Sequence, residues 1–385
     1  MLFHNGNFFL NGGFVRGAMR VTEGRIAAVG ETVEALPGED VRDLEGQTVV
    51  PGFLDVHTHG AYGVDVNHAS AEDFETVCRF VATQGVTGWL CSVLTDTKEQ
   101  TLHEIAEYRK WKTLPHKGAR LLGIHLEGPF LAVSRKGAMP EHLLCTPDLE
   151  LIREYQEAAG GEIRYITLAP ELPGATEMIP ALRDMGIEVS LGHSDADYVT
   201  SVRAIQNGAR SATHTGNAMR LLHQHEPALF GAVLEHDAVY CEIICDGRHL
   251  HPGTVRLILK AKGYEKAVAI TDSIMAAGLP DGDYKLGVND IVVKDGDAQL
   301  KDGGGRAGST LTAATALRNL SAWTGASLSQ LLKLFTENPA KLLRLEQDYG
   351  VLTPGAYADF VVLDKELHVL HTFVGGGECV PPEKS

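Results

Sequence analysis

The sequence predicts an α/β chain built as a (β/α)8 TIM-like barrel, with a small β-sandwich domain formed from both chain termini. Three observations lead there. Apolar strand-like runs and amphipathic helical patterns alternate eight times through the middle of the chain, the strands are apolar on both faces, and both ends carry short β segments separated by turn signals. Strands buried on both faces and spaced by helices form parallel sheets, and eight such units close into a barrel.

The elements follow in chain order. Over about 8–50 the pattern is short and strand-like, with turn signals at Asn11-Gly12-Gly13 and Glu45-Gly46 and the alternating run Arg25-Ile26-Ala27-Ala28-Val29 between them. The end of the chain reads the same way, with strand candidates at 358–363 and 368–374. Two isolated β segments cannot each bury a core, so they are expected to pair into one domain over 1–50 plus 345–385, flanking a barrel over 51–344. Barrel strand candidates lie near 53–57, 86–91, 121–127, 164–169, 187–192, 210–214, 238–244 and 267–271. Between the first two, Phe74, Val77, Cys78 and Val81 fall on one helical face, and Gly85 provides a stop. After the eighth strand an irregular Gly/Asp-rich insertion is expected over about 276–308.

Composition narrows the function. Of 385 residues, 44% are hydrophobic and 22% charged, and 34 Lys+Arg against 50 Asp+Glu leave a net charge of -16. That is a globular profile with no basic block, so a nucleic-acid partner is excluded. The six cysteines form no CxxC pair, which indicates free thiols in a reducing compartment. No window is long and apolar enough for a membrane span, and the start lacks a basic region followed by an apolar one. A cytoplasmic location is expected.

The chemistry-bearing residues cluster at the carboxyl ends of the predicted strands, where barrels place their sites. His57 and His59 are two apart on the first strand and face the same way, so one ion can meet both, although an HxH pair alone is equally an ordinary strand feature. Glu127 ends the third strand in an apolar context that makes its burial costly without a compensating cation. His193 ends the fifth strand, His214 the sixth and Asp272 the eighth. Imidazole and carboxylate without thiolate suit one or two divalent ions, Zn²⁺ foremost and Fe²⁺ or Mn²⁺ next, with a position open for water. Asp272 is placed to take a proton from that water and pass it to a leaving amine, and His249, after the seventh strand, to hydrogen-bond a carbonyl oxygen. The fourth strand, Arg164-Tyr165-Ile166-Thr167-Leu168-Ala169, has no lysine to bridge two metals, which counts against a dihydroorotase-like enzyme.

The ordered set PGFLDVHTHG, HLEGPF, GHSDAD, THTGNAM, DGRHLHP, TDSI and AGSTLT resembles the N-acetylglucosamine-6-phosphate deacetylases of the amidohydrolase superfamily, nearly end to end. The resemblance implies that Glu127, His193 and His214 hold a principal metal and His57 and His59 a second. It makes Asp272 the catalytic acid/base and His249 the carbonyl-binding histidine. Asn217 and Ala218 fall in the segment that contacts the sugar phosphate, and the members are typically homodimers. The implied reaction is metal-dependent hydrolysis of the N-acetyl group of an amino sugar 6-phosphate.

Departures from the family pattern bear on the substrate. A phosphate-contacting histidine is replaced by Met139 after Ala138, and the arginine that reaches the phosphate of the partner's substrate is replaced by His225. Gly216 stands where an aromatic is usual, and Arg306 where a leucine is. Losing a bidentate clamp weakens phosphate recognition. Either Arg306, Arg220 or Lys136 restores the charge, or the substrate is a different N-acyl compound without the 6-phosphate. A catalytically silent sugar-phosphate sensor is a further class, and it would have lost Asp272 or the ligand set.

Overall fold

The computed structural model describes residues 1–383 of the chain. Eight parallel strands form one sheet in sequential order: Phe53–Thr58, Val86–Leu94, Arg120–Glu127, Ile163–Leu168, Glu188–Leu191, Ser211–Ala212, Tyr240–Ile244 and Ala267–Ile270. The last strand returns to the first where Asp272 N–H donates to His57 O at 2.9 Å and Thr58 bridges Ser273. The barrel is thereby nearly closed. Its strands are buried along almost their whole length, as near-continuous apolar runs require.

The helix Ala71–Thr83 shows how the sequence sets these elements. Ser70 and Asp73 make a reciprocal capping box at its start, while Phe74, Val77, Cys78 and Val81 are buried against the barrel. The chain leaves the helix through Gly85, whose φ of +85° suits glycine. The sixth strand is shorter than its apolar run suggested, because the backbone turns at His214, whose φ is +29°.

Strands from both termini share one hydrogen-bonded sheet. Leu2–Leu10 lies beside Thr48–Pro51, which pairs antiparallel with Phe360–Leu363 from the other end of the chain. Phe3, Phe8, Met19, Phe360 and Phe373 give this sheet its own core. Phe3 meets Phe360 and Phe373 edge-on, with ring centroids 4.9 and 5.1 Å apart.

The insertion after the eighth strand corrects the expectation of irregular structure. It folds as an antiparallel three-stranded sheet, Gly282–Leu286, Asn289–Lys294 and Asp297–Leu300. The alternation of buried Ile291 and Val293 with exposed neighbours is too short to stand out among the surrounding Gly and Asp. The turn between its last two strands is Asp295-Gly296, both at positive φ (51° and 71°), a pairing favoured in tight hairpins. Leu286, Ile291 and Val293 pack with Leu94, Leu131 and Met139, which places this sheet over the carboxyl end of the barrel.

Candidate metal centre and active-site cleft

Six side chains from five strand ends meet at that end of the barrel. Glu127 Oε1 lies 3.1 Å from His193 Nε2 and 3.2 Å from His214 Nε2. Its other oxygen lies 3.3 Å from His59 Nε2, and His57 Nε2 is 3.4 Å from Oε1. The carboxylate therefore joins two donor groups, His57/His59 and His193/His214. Asp272 Oδ1 stands 3.2 Å from His59 Nε2 and 3.5 Å from His57 Nε2.

The donors suit a cation. His59 Nδ1 donates to the Ser92 carbonyl at 2.9 Å and His193 Nδ1 to the Arg135 carbonyl at 2.8 Å, so each ring is oriented with Nε2 facing inward, where a metal would take its lone pair. Paired Nε2 atoms then face one another at 3.0 Å (His57/His59) and 3.1 Å (His193/His214). Such close pairs of ring nitrogens are held together by positive charge between them, as a bound cation supplies. Two ligands of a tetrahedral zinc, each about 2.0–2.1 Å from it, sit roughly 3.3 Å apart. The electrostatics agree: burial opposes charge on His57, but Glu127 and Asp272 outweigh it and hold its pKa well above the usual imidazole range. Glu127 itself stays well below the carboxylate range despite its burial, chiefly because of His57. Positive charge is what this cluster demands.

The backbone is shaped to the same end. His193, His214 and Asp272 have φ of +47°, +29° and +50°. Such values cost non-glycine residues of order 1 kcal/mol or more and gather at functional sites. Asp272 is fixed by its N–H to His57 O and by its carbonyl, which accepts from Ser309 N at 2.7 Å.

Above the donors opens a cleft of about 400 Å³. His59, Glu127, His193, His214 and Asp272 form its polar floor, with His57 fully buried below. Ala138, Met139, Asn217, Ala218, His249 and Arg306 line the walls. Arg306 is held by Asp297 through two bonds of 2.8 and 3.0 Å. Three residues considered for phosphate contact lie elsewhere: His225 is on an exposed turn, Lys136 Nζ is 3.3 Å from the Met139 carbonyl, and Arg220 is absent from the lining.

Sequence reasoning passed over several supports. Glu242, on the seventh strand, accepts from His57 Nδ1 at 3.3 Å, from His214 N–H at 3.2 Å and from the Tyr165 hydroxyl. Asp55 accepts from Thr271 Oγ1 at 2.5 Å, and His125 sits between Ser92 Oγ (2.8 Å) and Thr167 Oγ1 (2.9 Å). Asp246 holds His249 Nδ1 at 2.7 Å. The signal was available for Glu242, a lone carboxylate in the buried run Tyr240-Cys241-Glu242-Ile243-Ile244, and for His125, which shares a strand face with Glu127.

Residues 48–379 match the amidohydrolase family. The N-acetylglucosamine-6-phosphate deacetylase of Bacillus subtilis is 35% identical over 364 residues, covering 94% of this chain and 92% of that protein. The N-acetylgalactosamine-6-phosphate deacetylase of Escherichia coli O157:H7 is 33% identical, covering 93% of each. A variant N-acetyl-D-glucosamine-6-phosphate deacetylase of Mycobacterium smegmatis, solved in complex with N-acetyl-D-glucosamine-6-phosphate, superposes with a TM-score of 0.91 at 33% identity, covering 98% of each chain. The chain belongs to the amidohydrolase family, metal-dependent hydrolases of amide C–N bonds, and within it to the N-acetylglucosamine-6-phosphate deacetylases.

Proposed function

We propose that the protein hydrolyses N-acetylglucosamine-6-phosphate to glucosamine-6-phosphate and acetate. The observation that carries the reading is the meeting of both donor groups and Asp272 around one carboxylate, Glu127, at the floor of an open cleft.

In this reading Glu127, His193 and His214 would hold one divalent ion, and His57 and His59, with Glu127, would hold a second; zinc suits the donor set best, with iron or manganese the other options. When bound, an ion there would supply Lewis-acid polarisation of the carbonyl and lower the pKa of a water. Asp272 takes the proton of the attacking water and returns it to the departing amine nitrogen, because an amine leaves poorly unless protonated. His249 donates to the acetyl oxygen as negative charge builds on it. Ala138, Met139, Asn217, Ala218 and Arg306 shape the sugar pocket. His225, exposed in one subunit, would face the cleft of a second in a homodimer. Residues 1–50 with 345–385 act as a supporting domain to the barrel of 51–344, and the enzyme works in the cytoplasm.

A second reading keeps the hydrolysis and changes the substrate to an N-acyl compound without the 6-phosphate. The buried thioether of Met139 in the cleft wall favours it, since it offers a phosphate neither charge nor a strong donor. Amine release by metal-loaded protein from N-acetylglucosamine-6-phosphate, its galacto isomer and both unphosphorylated sugars decides between them. Turnover confined to unphosphorylated compounds would discard the first reading.

A further inference from the structure

The two ring nitrogens of His249 are not equivalent. Nδ1 faces Asp246 Oδ2 at 2.7 Å, while Asp246 Oδ1 accepts the backbone N–H groups of Arg248 and His249 at 2.8 Å each. Three donors thus fix one carboxylate, and an ionised carboxylate only accepts, so the proton of that bond sits on Nδ1. Nε2 makes no hydrogen bond to the protein among the described residues and is the nitrogen left for the cleft. In a neutral ring protonated at Nδ1, Nε2 is a bare acceptor that repels a carbonyl or phosphoryl oxygen. Only the doubly protonated ring can donate there.

We propose that Asp246 is a positioning residue that keeps His249 cationic, so that Nε2–H points into the cleft as a charged donor for a substrate oxygen. The charged neighbours bear on this in both directions. Burial is the largest influence and works against charge on His249, but the Asp246 bond and charge together with Asp272 outweigh it and leave the pKa raised, while Arg306, also in the cleft wall, opposes it. A divalent ion in the donor cluster opposes it too, which is why a carboxylate locked by three hydrogen bonds matters. The catalytic consequence rests on the deacetylation reading; the protonation state does not.

The test uses metal-loaded, ¹⁵N-histidine-labelled protein, with His249→Gln identifying the resonance. In the wild type both nitrogens of His249 should carry protons at neutral pH. In Asp246→Asn the titration midpoint should fall by about one unit or more, the scale of losing an adjacent opposite charge. Since a raised imidazole pKa makes the cation available below it, the alkaline limb of kcat/KM for N-acetylglucosamine-6-phosphate should move to lower pH by the same amount, with metal content unchanged. Asp246→Glu should restore most of both. An unprotonated Nε2 in wild-type protein at neutral pH overturns the inference even if no variant folds, as does a midpoint that Asp246→Asn leaves in place. A cationic His249 in a protein that does not turn over the phosphorylated sugar would uphold the Asp246–His249 pair and reject the substrate.

Discussion

The two donor groups that share Glu127 are built differently. His57 lies on the first strand and His59 one residue beyond its end, two apart in sequence, so an extended backbone aims both inward. His193 and His214 end separate strands 21 residues apart in sequence, and each reaches the cluster only through a left-handed backbone. Their outer supports differ as well. His57 leans on the Glu242 side chain, and His59 and His193 on main-chain carbonyls, while His214 Nδ1 is buried without a partner among the described residues. The first group is fixed by local covalent geometry, and the second by tertiary structure that has to be stable enough to hold strain.

Two substitutions test what the groups share. Glu127→Gln removes the carboxylate common to both, so it should abolish metal binding at both and lower kcat/KM by well over the roughly 100-fold that disturbing an outer support costs. Elemental analysis beside steady-state kinetics would show this, and retained binding at either group would mean that the carboxylate is not shared. Asp272→Asn should lower kcat by about 10²–10⁴, the usual share of a general acid/base, while metal content stays at the wild-type level. Parallel loss of metal and rate would make Asp272 a ligand first.

The same contrast explains what could be read in the sequence. His57 and His59 are visible as HxH because their geometry is local, and the eight strands are visible because burial on both faces leaves long apolar runs. His193, His214 and Glu127 became interpretable only as a set at successive strand ends. Asp246 was hidden because its role depends on a tight turn that brings Oδ2 to His249 three residues on. Glu242 stands out as a lone carboxylate in an apolar run, but its role was hidden because its partners, His57, Tyr165 and His214, come from three other strands. The hairpins at 282–300 were masked by their polar exposed face, although Ile291 and Val293 alternate as strand residues should. No sequence pattern could reveal that Met139 packs under that sheet, beside Leu286 and Ile291.

Glu242→Gln sharpens the difference between the groups. Two partners of Glu242, His57 Nδ1–H and His214 N–H, donate to one oxygen, which an uncharged amide replaces with a weaker acceptor, while its NH₂ meets the Tyr165 hydroxyl and forces that group from donor to acceptor. Affinity should fall by about 10–100-fold, chiefly for the ion at His57 and His59, seen as selective weakening of one step in a calorimetric metal titration. Equal weakening of both steps would show that Glu242 supports His214 as much as His57.

The smallest effect is expected at the support of His193. The carbonyl that accepts from its Nδ1 belongs to Arg135, whose guanidinium contacts Asp195 Oδ1 at 2.8 and 2.7 Å. Both side chains are about two-fifths exposed, at 38% and 42%, so water and salt screen the pair. Exposed pairs of this kind contribute about 0.2–1 kcal/mol. Arg135→Gln should therefore shift the unfolding free energy by no more than that, and the shift should shrink as ionic strength rises. The loop can still present the carbonyl, because the Ala132 N–H to His193 O bond (2.9 Å) ties it to the same strand end. Metal affinity at His193 and His214 should change less than in Glu242→Gln. A larger loss, insensitive to salt, would mean that the strained backbone at His193 is held by this one loop and not by the barrel as a whole.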